Sequence, residues 1–224
     1  MIAEEFTLDA AHGPMRAFVA RLDDKPRPAV IVLEGVYGFD DEIKRITEVT
    51  AGAGFVGLAI DYLRGGEAAT VFNTKDVCDD VAAARDWLNN QPWVQHGKIA
   101  TWGFGYGGTA SYLASTLPGL AASIVFYGQS IARPLPGAGK PVLDEVDDYR
   151  TPMLLVFGGH DEQIGANEIA TIRERLTAKR ANFEIQEYPE VGHSFFREDL
   201  GTIATRQIAD AWDRVRSFLR RNFT

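Results

Sequence analysis

Short apolar runs alternate along the chain with segments whose apolar positions recur every three or four residues. Strands are predicted at Ala29–Leu33, Phe55–Ile60, Ile99–Trp102, Ser123–Tyr127, Met153–Phe157 and Phe183–Tyr188; most are continuous apolar runs rather than strict alternations, as strands buried on both faces should be. Between them, Val77, Val81, Ala84 and Leu88 share one helical face, and Ile169, Ile172 and Leu176 repeat that spacing after Gly165. The clearest stripe joins Ile208, Ala211, Trp212, Val215, Phe218 and Leu219, with Arg214, Arg216, Arg220 and Arg221 outside it. The basic last turn suits the negative end of a helix, so these arginines read as capping charge. Two further strands, around Glu5–Asp9 and Met15–Arg21, read as an antiparallel edge. The alternation predicts one α/β domain over residues 1–224, with a mostly parallel central sheet and helices on both faces. The least regular stretch, Gln129 to Arg150 with R-P-L-P-G-A-G-K-P, reads as a surface loop.

Composition narrows the class. Hydrophobic residues make up 46% and charged residues 24%, a globular balance that argues against disorder and coiled coil. The 23 Lys+Arg against 31 Asp+Glu leave a net charge of −8, so neither nucleic acid nor a membrane surface is an expected partner. Cys78 is the only cysteine, which excludes an intrachain disulfide and a Cys-based zinc site. The start M-I-A-E-E-F-T-L-D has no basic segment leading into an apolar core, and no apolar run could span a bilayer. The expectation is a cytoplasmic protein, and helices of ordinary surface polarity give no reason to expect more than a monomer.

The sharpest local feature is G-F-G-Y-G-G, Gly103 to Gly108, between the strand Ile99–Trp102 and a helix beginning near Gly107. Read literally, Gly103, Gly105 and Gly108 fit G-x-G-x-x-G, the dinucleotide turn of nucleotide-cofactor oxidoreductases. That motif wants an acidic residue about 20 positions on for the ribose. Here Ala110 to Leu143 contains no Asp or Glu, and the turn lies mid-chain rather than after the first strand. The other reading is a nucleophile elbow, G-x-Nu-x-G, with Gly105 at the nucleophile position. The acid and histidine then follow in the order that fold requires. Asp161 lies in L-V-F-G-G-H-D directly after a buried strand, and His193 in G-H-S-F-F just past the strand ending at Tyr188. Each alone is an ordinary loop residue; together, after successive strands, they predict one shared site.

These motifs, with I-V-F-Y-G and the arginine of G-H-S-F-F-R, resemble the dienelactone hydrolase family of α/β-hydrolases over essentially the whole chain. The resemblance implies an α/β-hydrolase fold and a cofactor-free hydrolase of small esters and lactones, with a Cys or Ser, His and Asp triad. Asp161 would be the acid, His193 the base, and Arg197 would grip a substrate carboxylate. The backbone N–H groups of Tyr106 and of Val36, in E-G-V-Y-G, would form the oxyanion hole. Two departures accompany it. Gly105 has no side chain to attack with. The glutamate that helps activate the family nucleophile falls on Gly35 when counted back from Gly38, or on Glu34 with a one-residue slip. The unslipped alignment also fits Glu34–Gly38 to the H-G-x-x-G oxyanion loop of related hydrolases, with Glu replacing His.

A glycine at the elbow relieves backbone strain and leaves room beside His193 for a water held by the imidazole and the oxyanion donors. This predicts a hydrolase of small carboxylate-bearing esters or lactones whose activity is slow, water-mediated or mechanistically altered. The rival is a non-catalytic protein that binds a small carboxylate ligand through Arg197, with Glu34 and Tyr37 or Tyr106 beside it. Cys78 sits before two aspartates, which disfavour a thiolate, and is a poor nucleophile. Ser111 reads as a packing or surface residue. His12, His96 and His160 show no ligand spacing, so no metal is expected. Arg64 reads equally as a second carboxylate anchor or a surface cation.

Overall fold

A computed structural model describes residues 1–135, 140–197 and 205–223. In chain order the elements are β1 (Ile2–Leu8), β2 (Met15–Arg21), β3 (Arg27–Leu33), α1 (Asp41–Gly52), β4 (Val56–Ile60), α2 (Ala68–Val71), α3 (Thr74–Asn89) and β5 (Val94–Phe104). There follow α4 (Tyr106–Ala114), β6 (Ala122–Phe126), β7 (Met153–Gly158), α5 (Ala166–Ala178), β8 (Phe183–Tyr188) and α6 (Thr205–Asn222). The eight strands form one sheet in the order β1-β2-β4-β3-β5-β6-β7-β8. β1–β2 and β2–β4 pair antiparallel, and every other neighbouring pair is parallel. The expected architecture and the antiparallel edge are both present, with β1 lying a few residues earlier than expected.

Strands β4, β6 and β7 are buried at every residue, as their unbroken apolar runs require. The outer strand β8 instead exposes Glu184 and Glu187, whose carboxylates meet Arg221 and Arg173, a charged edge that resists pairing with another chain. β5 is longer than its apolar run: Gln95, His96, Gly97 and Lys98 extend it toward the pairing of Val94 with Arg27. The helix α1 has no counterpart among the predicted elements. Its Asp40 N-cap accepts from the Ile43 N–H at 3.0 Å, and Ile43, Ile46, Thr47 and Thr50 turn into the core. Of the irregular stretch expected from Gln129 to Arg150, residues 136–139 lie outside the described residues; the rest is loop apart from one 3-10 turn at Val142–Asp144.

The chain order reverses about β3, which pairs with β4 on one side and β5 on the other. Such a switch point opens a crevice at the carboxyl ends of the strands. Here the backbones close in. A Cβ on Gly103 would lie 1.8 Å from the Gly107 carbonyl oxygen, and one on Gly107 would lie 2.1 Å from that of Leu33. A Cβ on Gly108 would lie 2.6 Å from the Phe126 carbonyl oxygen, and one on Gly35 would lie 2.6 Å from that of Phe104. Helix α4 is therefore buried at every residue, and its Ser111 hydroxyl bonds Thr101 at 2.7 Å, a packing role.

Glu34, just past the end of β3, is fully buried, and among the described residues neither carboxyl oxygen has a partner that meets strict hydrogen-bond geometry. Burial raises its pKa to about 9, and the Asp61 charge nearby pushes in the same direction. Asp61 itself is engaged by Arg16 at 2.9 Å and by the Gly65 N–H at 3.0 Å.

Two outcomes follow from this packing. Gly107→Ala is expected to lose roughly 3 kcal/mol or more of stability in urea unfolding, because the obstacle is backbone and cannot rotate aside. A loss under about 0.5 kcal/mol, the range of an uninvolved surface site, would contradict the close approach. For Glu34, the folded state holds a proton that the unfolded chain releases near its ordinary value of 4.5, so its contribution falls as pH rises from there to about 9. Glu34→Gln should therefore gain stability over wild type progressively between pH 5 and 9, by denaturant titration at each pH.

Candidate active site

The elbow lies where β5 turns into α4. Gly105 adopts φ 59°, ψ −119°, and its N–H donates to the Phe126 carbonyl at 3.0 Å. Unlike its neighbours, Gly105 is not required by crowding. Among the described residues, a Cβ there would meet one atom within 4 Å, the Nε2 of His193 at 3.9 Å. The position is open, and a histidine nitrogen faces it.

His193 arrives on the turn after β8, which two phenylalanines just beyond it anchor. Phe195 packs on Phe126, Tyr127 and Tyr188, and Phe196 packs on Trp102, Phe104 and Phe126. Trp102 in turn stacks on Trp212 of α6 with centroids 5.1 Å apart. Ser194 beside the histidine takes φ 57°, as Tyr127 and Ser130 take 38° and 59°, so backbone strain gathers around this ring. The Tyr127 ring lies edge-on to His193 at 5.0 Å.

Asp161 follows β7, with its side chain fully buried and 2.7 Å from His193 Nδ1. Its other oxygen accepts from the backbone N–H groups of Gln163 at 2.8 Å and Ile164 at 3.0 Å. Three donors thus hold the carboxylate, and since it can only accept, the imidazole proton sits on Nδ1 and Nε2 is left as the acceptor. An arrangement of this kind can take a proton from a group placed at Nε2 and shelter the resulting imidazolium.

The cavity at this point has a volume of 20 Å³ and is lined by Gly35, Val36, Tyr37, Gly105, Gln129 and His193, among others. A water needs at least about 10–15 Å³ measured in this way, so the space suits a single water. Val36 and Tyr37 are exposed on the loop after β3, which the Gly38 N–H closes onto the Gly35 carbonyl at 3.2 Å. Tyr106 is the first residue of α4, where a backbone N–H has no intrahelical acceptor. Arg197 also lines the cavity, with its guanidinium 4.2 Å over the Tyr37 ring and 2.7 Å from the Asp40 carboxylate.

The structure thus brings together Gly105, His193, Asp161, Val36, Tyr37 and Arg197, with Tyr106 adjoining. Glu34 is the exception: expected against a ligand, it is buried behind the loop, outside the cavity lining and next to Asp61. Gly35 lines the cavity, but only with backbone. Arg64 is not an anchor here, since its guanidinium is spent on Asp80 at 2.7 and 2.9 Å and on the Tyr62 and Gly13 carbonyls. Cys78 sits on α3 outside this cavity, its thiol pushed up to about 11 by burial and then by Asp79. His12 meets Asp79 at 2.9 Å, and His160 and His96 are exposed. Among the described residues no group of three His, Cys, Asp or Glu could hold a metal ion.

Two participants escaped the sequence reading. Gln129, six per cent exposed, places its amide nitrogen 3.2 Å from His193 Nε2. Asp40 engages Arg197 while capping α1. The D-D-E-I start of a helix was a readable capping signal for Asp40. Gln129 carried only its place just beyond the carboxyl end of β6.

The sequence matches the dienelactone hydrolase family over residues 15–223. It is 29% identical over 227 residues to the Yersinia pestis protein named "Putative carboxymethylenebutenolidase", covering 94% of this chain and 85% of that one. It is 30% identical over 210 residues to the Bradyrhizobium sp. "Probable 2-oxo-3-(5-oxofuran-2-ylidene)propanoate lactonase", covering 86% and 83%. A crystal structure of a "Putative Dienelactone Hydrolase" from Klebsiella pneumoniae superposes with a TM-score of 0.89 at 24% identity, covering 98% of both chains, and shares the α/β-hydrolase fold. With a match that runs from the start of β2 to the end of α6, this chain belongs to the dienelactone hydrolase family.

Proposed function

We propose that this protein hydrolyses small carboxylate-bearing esters or lactones, with Gly105 at the position of the family nucleophile and water as the attacking group. The observation that carries the reading is an open side-chain position faced by an oriented base: His193 Nε2 stands 3.9 Å from where a Cβ of residue 105 would be, with Asp161 behind it. A water in the 20 Å³ cavity would give a proton to Nε2 as its oxygen bonds to the ester carbonyl carbon. The carbonyl oxygen then becomes an oxyanion beside the N–H groups of Tyr106 and Val36. On collapse, the acyl–oxygen bond breaks and His193 returns the proton to the departing alkoxide, releasing acid and alcohol. General-base assistance of this kind contributes about 10²–10⁴-fold. An oxyanion hole and binding alone retain about 10³–10⁴-fold over water when a triad member is lost. Arg197 supplies the anchor for a substrate carboxylate, consistent with the oxo-acid lactone in the name of the Bradyrhizobium relative.

A second reading, a non-catalytic protein that binds a small carboxylate, is favoured by one observation: the candidate base His193 already has a protein partner at Nε2, Gln129. Calorimetry with a lactone analogue that resists turnover separates the readings, since a binder gives stoichiometric heat and no product.

The direct measurement is hydrolysis of p-nitrophenyl acetate and of a dienelactone by the whole chain. His193→Ala is expected to lower the rate by about 10²–10⁴-fold; equal rates would remove His193 from the mechanism. Gly105→Cys, placed where only His193 Nε2 lies nearby, is expected to raise the rate and to show a burst of acyl-enzyme. It should cost about 1–2 kcal/mol of stability for a side chain at positive φ. A folded variant without a burst would mean that this position is not the nucleophile's.

A further inference from the structure

His193 Nε2, which faces the open position at residue 105, already has a protein partner in the Gln129 side chain. With the Nδ1 proton committed to Asp161, Nε2 can only accept, so the Gln129 side chain must present its NH₂ rather than its oxygen. The rest of the network agrees. The second hydrogen of that amide goes to the Gln163 side-chain oxygen, and the Gln163 backbone N–H donates to Asp161 at 2.8 Å. Aspartate, histidine and the two glutamines therefore close a ring of hydrogen bonds. The Gln129 backbone is tied to the elbow as well: its N–H donates to the Gly105 carbonyl at 3.3 Å, and its carbonyl accepts from the Thr109 hydroxyl. A residue bonded to both the elbow and the base is placed by the fold.

We propose that Gln129 takes the hydrogen bond that a nucleophile side chain would make to Nε2, and so keeps His193 occupied until water displaces its amide. Asp161 already fixes the tautomer and orientation of the ring, so what Gln129 adds at Nε2 is competition for its one lone pair. The cavity beside both side chains has room for a single water, which would make the exchange local: the water takes the lone pair and the amide keeps its bond to Gln163. The kinetic part rests on the hydrolytic reading above, whereas the hydrogen bond itself does not.

The test uses the ¹⁵N-labelled whole chain and two variants. A trans-hydrogen-bond ¹⁵N–¹⁵N correlation between the Gln129 side-chain amide and His193 Nε2 is expected in the wild type, with the ring assigned by its loss in His193→Ala. Gln129→Ala should speed p-nitrophenyl acetate hydrolysis by about 2- to 10-fold, the factor that one neutral hydrogen bond represents. Gln129→Glu should slow it, because a carboxylate can only accept and so holds a proton on Nε2. Opposite effects from the two substitutions would not arise from a merely structural role. The proposal is overturned if both resonances are seen without the correlation. It is equally overturned if Gln129→Ala runs at or below a wild-type rate that depends on His193. If no His193-dependent hydrolysis exists at all, the hydrolytic reading fails, and the correlation alone decides whether Gln129 holds the ring.

Discussion

The closeness with which main chains pass one another at the start of α4 governs the rest of the molecule. Gly103, Gly107 and Gly108 let that helix press against the carboxyl ends of β3 and β6, and Gly35 lets the loop after β3 fold over the end of β5. Each contact joins backbone to backbone, so it fixes position more tightly than side-chain packing can. Two loops and a helix N-terminus are thereby held at one point, where the first backbone N–H groups of α4 have no intrahelical acceptor and the positive end of the helix dipole lies. Gly105 sits in the middle of this crowding and is exempt from it. Three neighbouring glycines answer to sterics, whereas the fourth leaves a space that the fold keeps open toward His193.

A base is useful only if it stays aimed at that space. The aromatic chain from Trp212 through Trp102 to Phe196 carries the rigidity of the sheet and α6 into the His193 turn, with no long side chain to immobilise. The strained backbone at Tyr127, Ser130 and Ser194 persists because buried neighbours over-determine it. Asp161 is fixed in the same way, by two backbone donors from its own turn.

What the sequence made legible follows from how local each signal is. Strands buried on both faces declare themselves as unbroken apolar runs, and Asp161 and His193 were found from their order after successive strands. The polar half of β5 and the helix α1 were missed. In the first, pairing with Arg27 overrides an unpromising composition, and in the second a cap and four inward positions lie among charged residues. Gln129 and Asp40 were missed for a different reason, since their partners His193 and Arg197 lie 64 and 157 positions away. Glu34 misled because its type suited the loop, while the fold turned the carboxyl inward.

The site as folded leaves few charges waiting for a ligand. An incoming carboxylate must share the Arg197 guanidinium with Asp40, and the two anions repel. Asp40 is also bound to the start of α1, so moving it disturbs a helix cap of about 1 kcal/mol. A ligand that binds here must therefore bring enough contact elsewhere, and the exposed Val36 and Tyr37 beside the arginine offer apolar surface for it. Under the proposed function, this requirement would favour molecules that join an anionic end to apolar surface over small inorganic anions that offer charge alone.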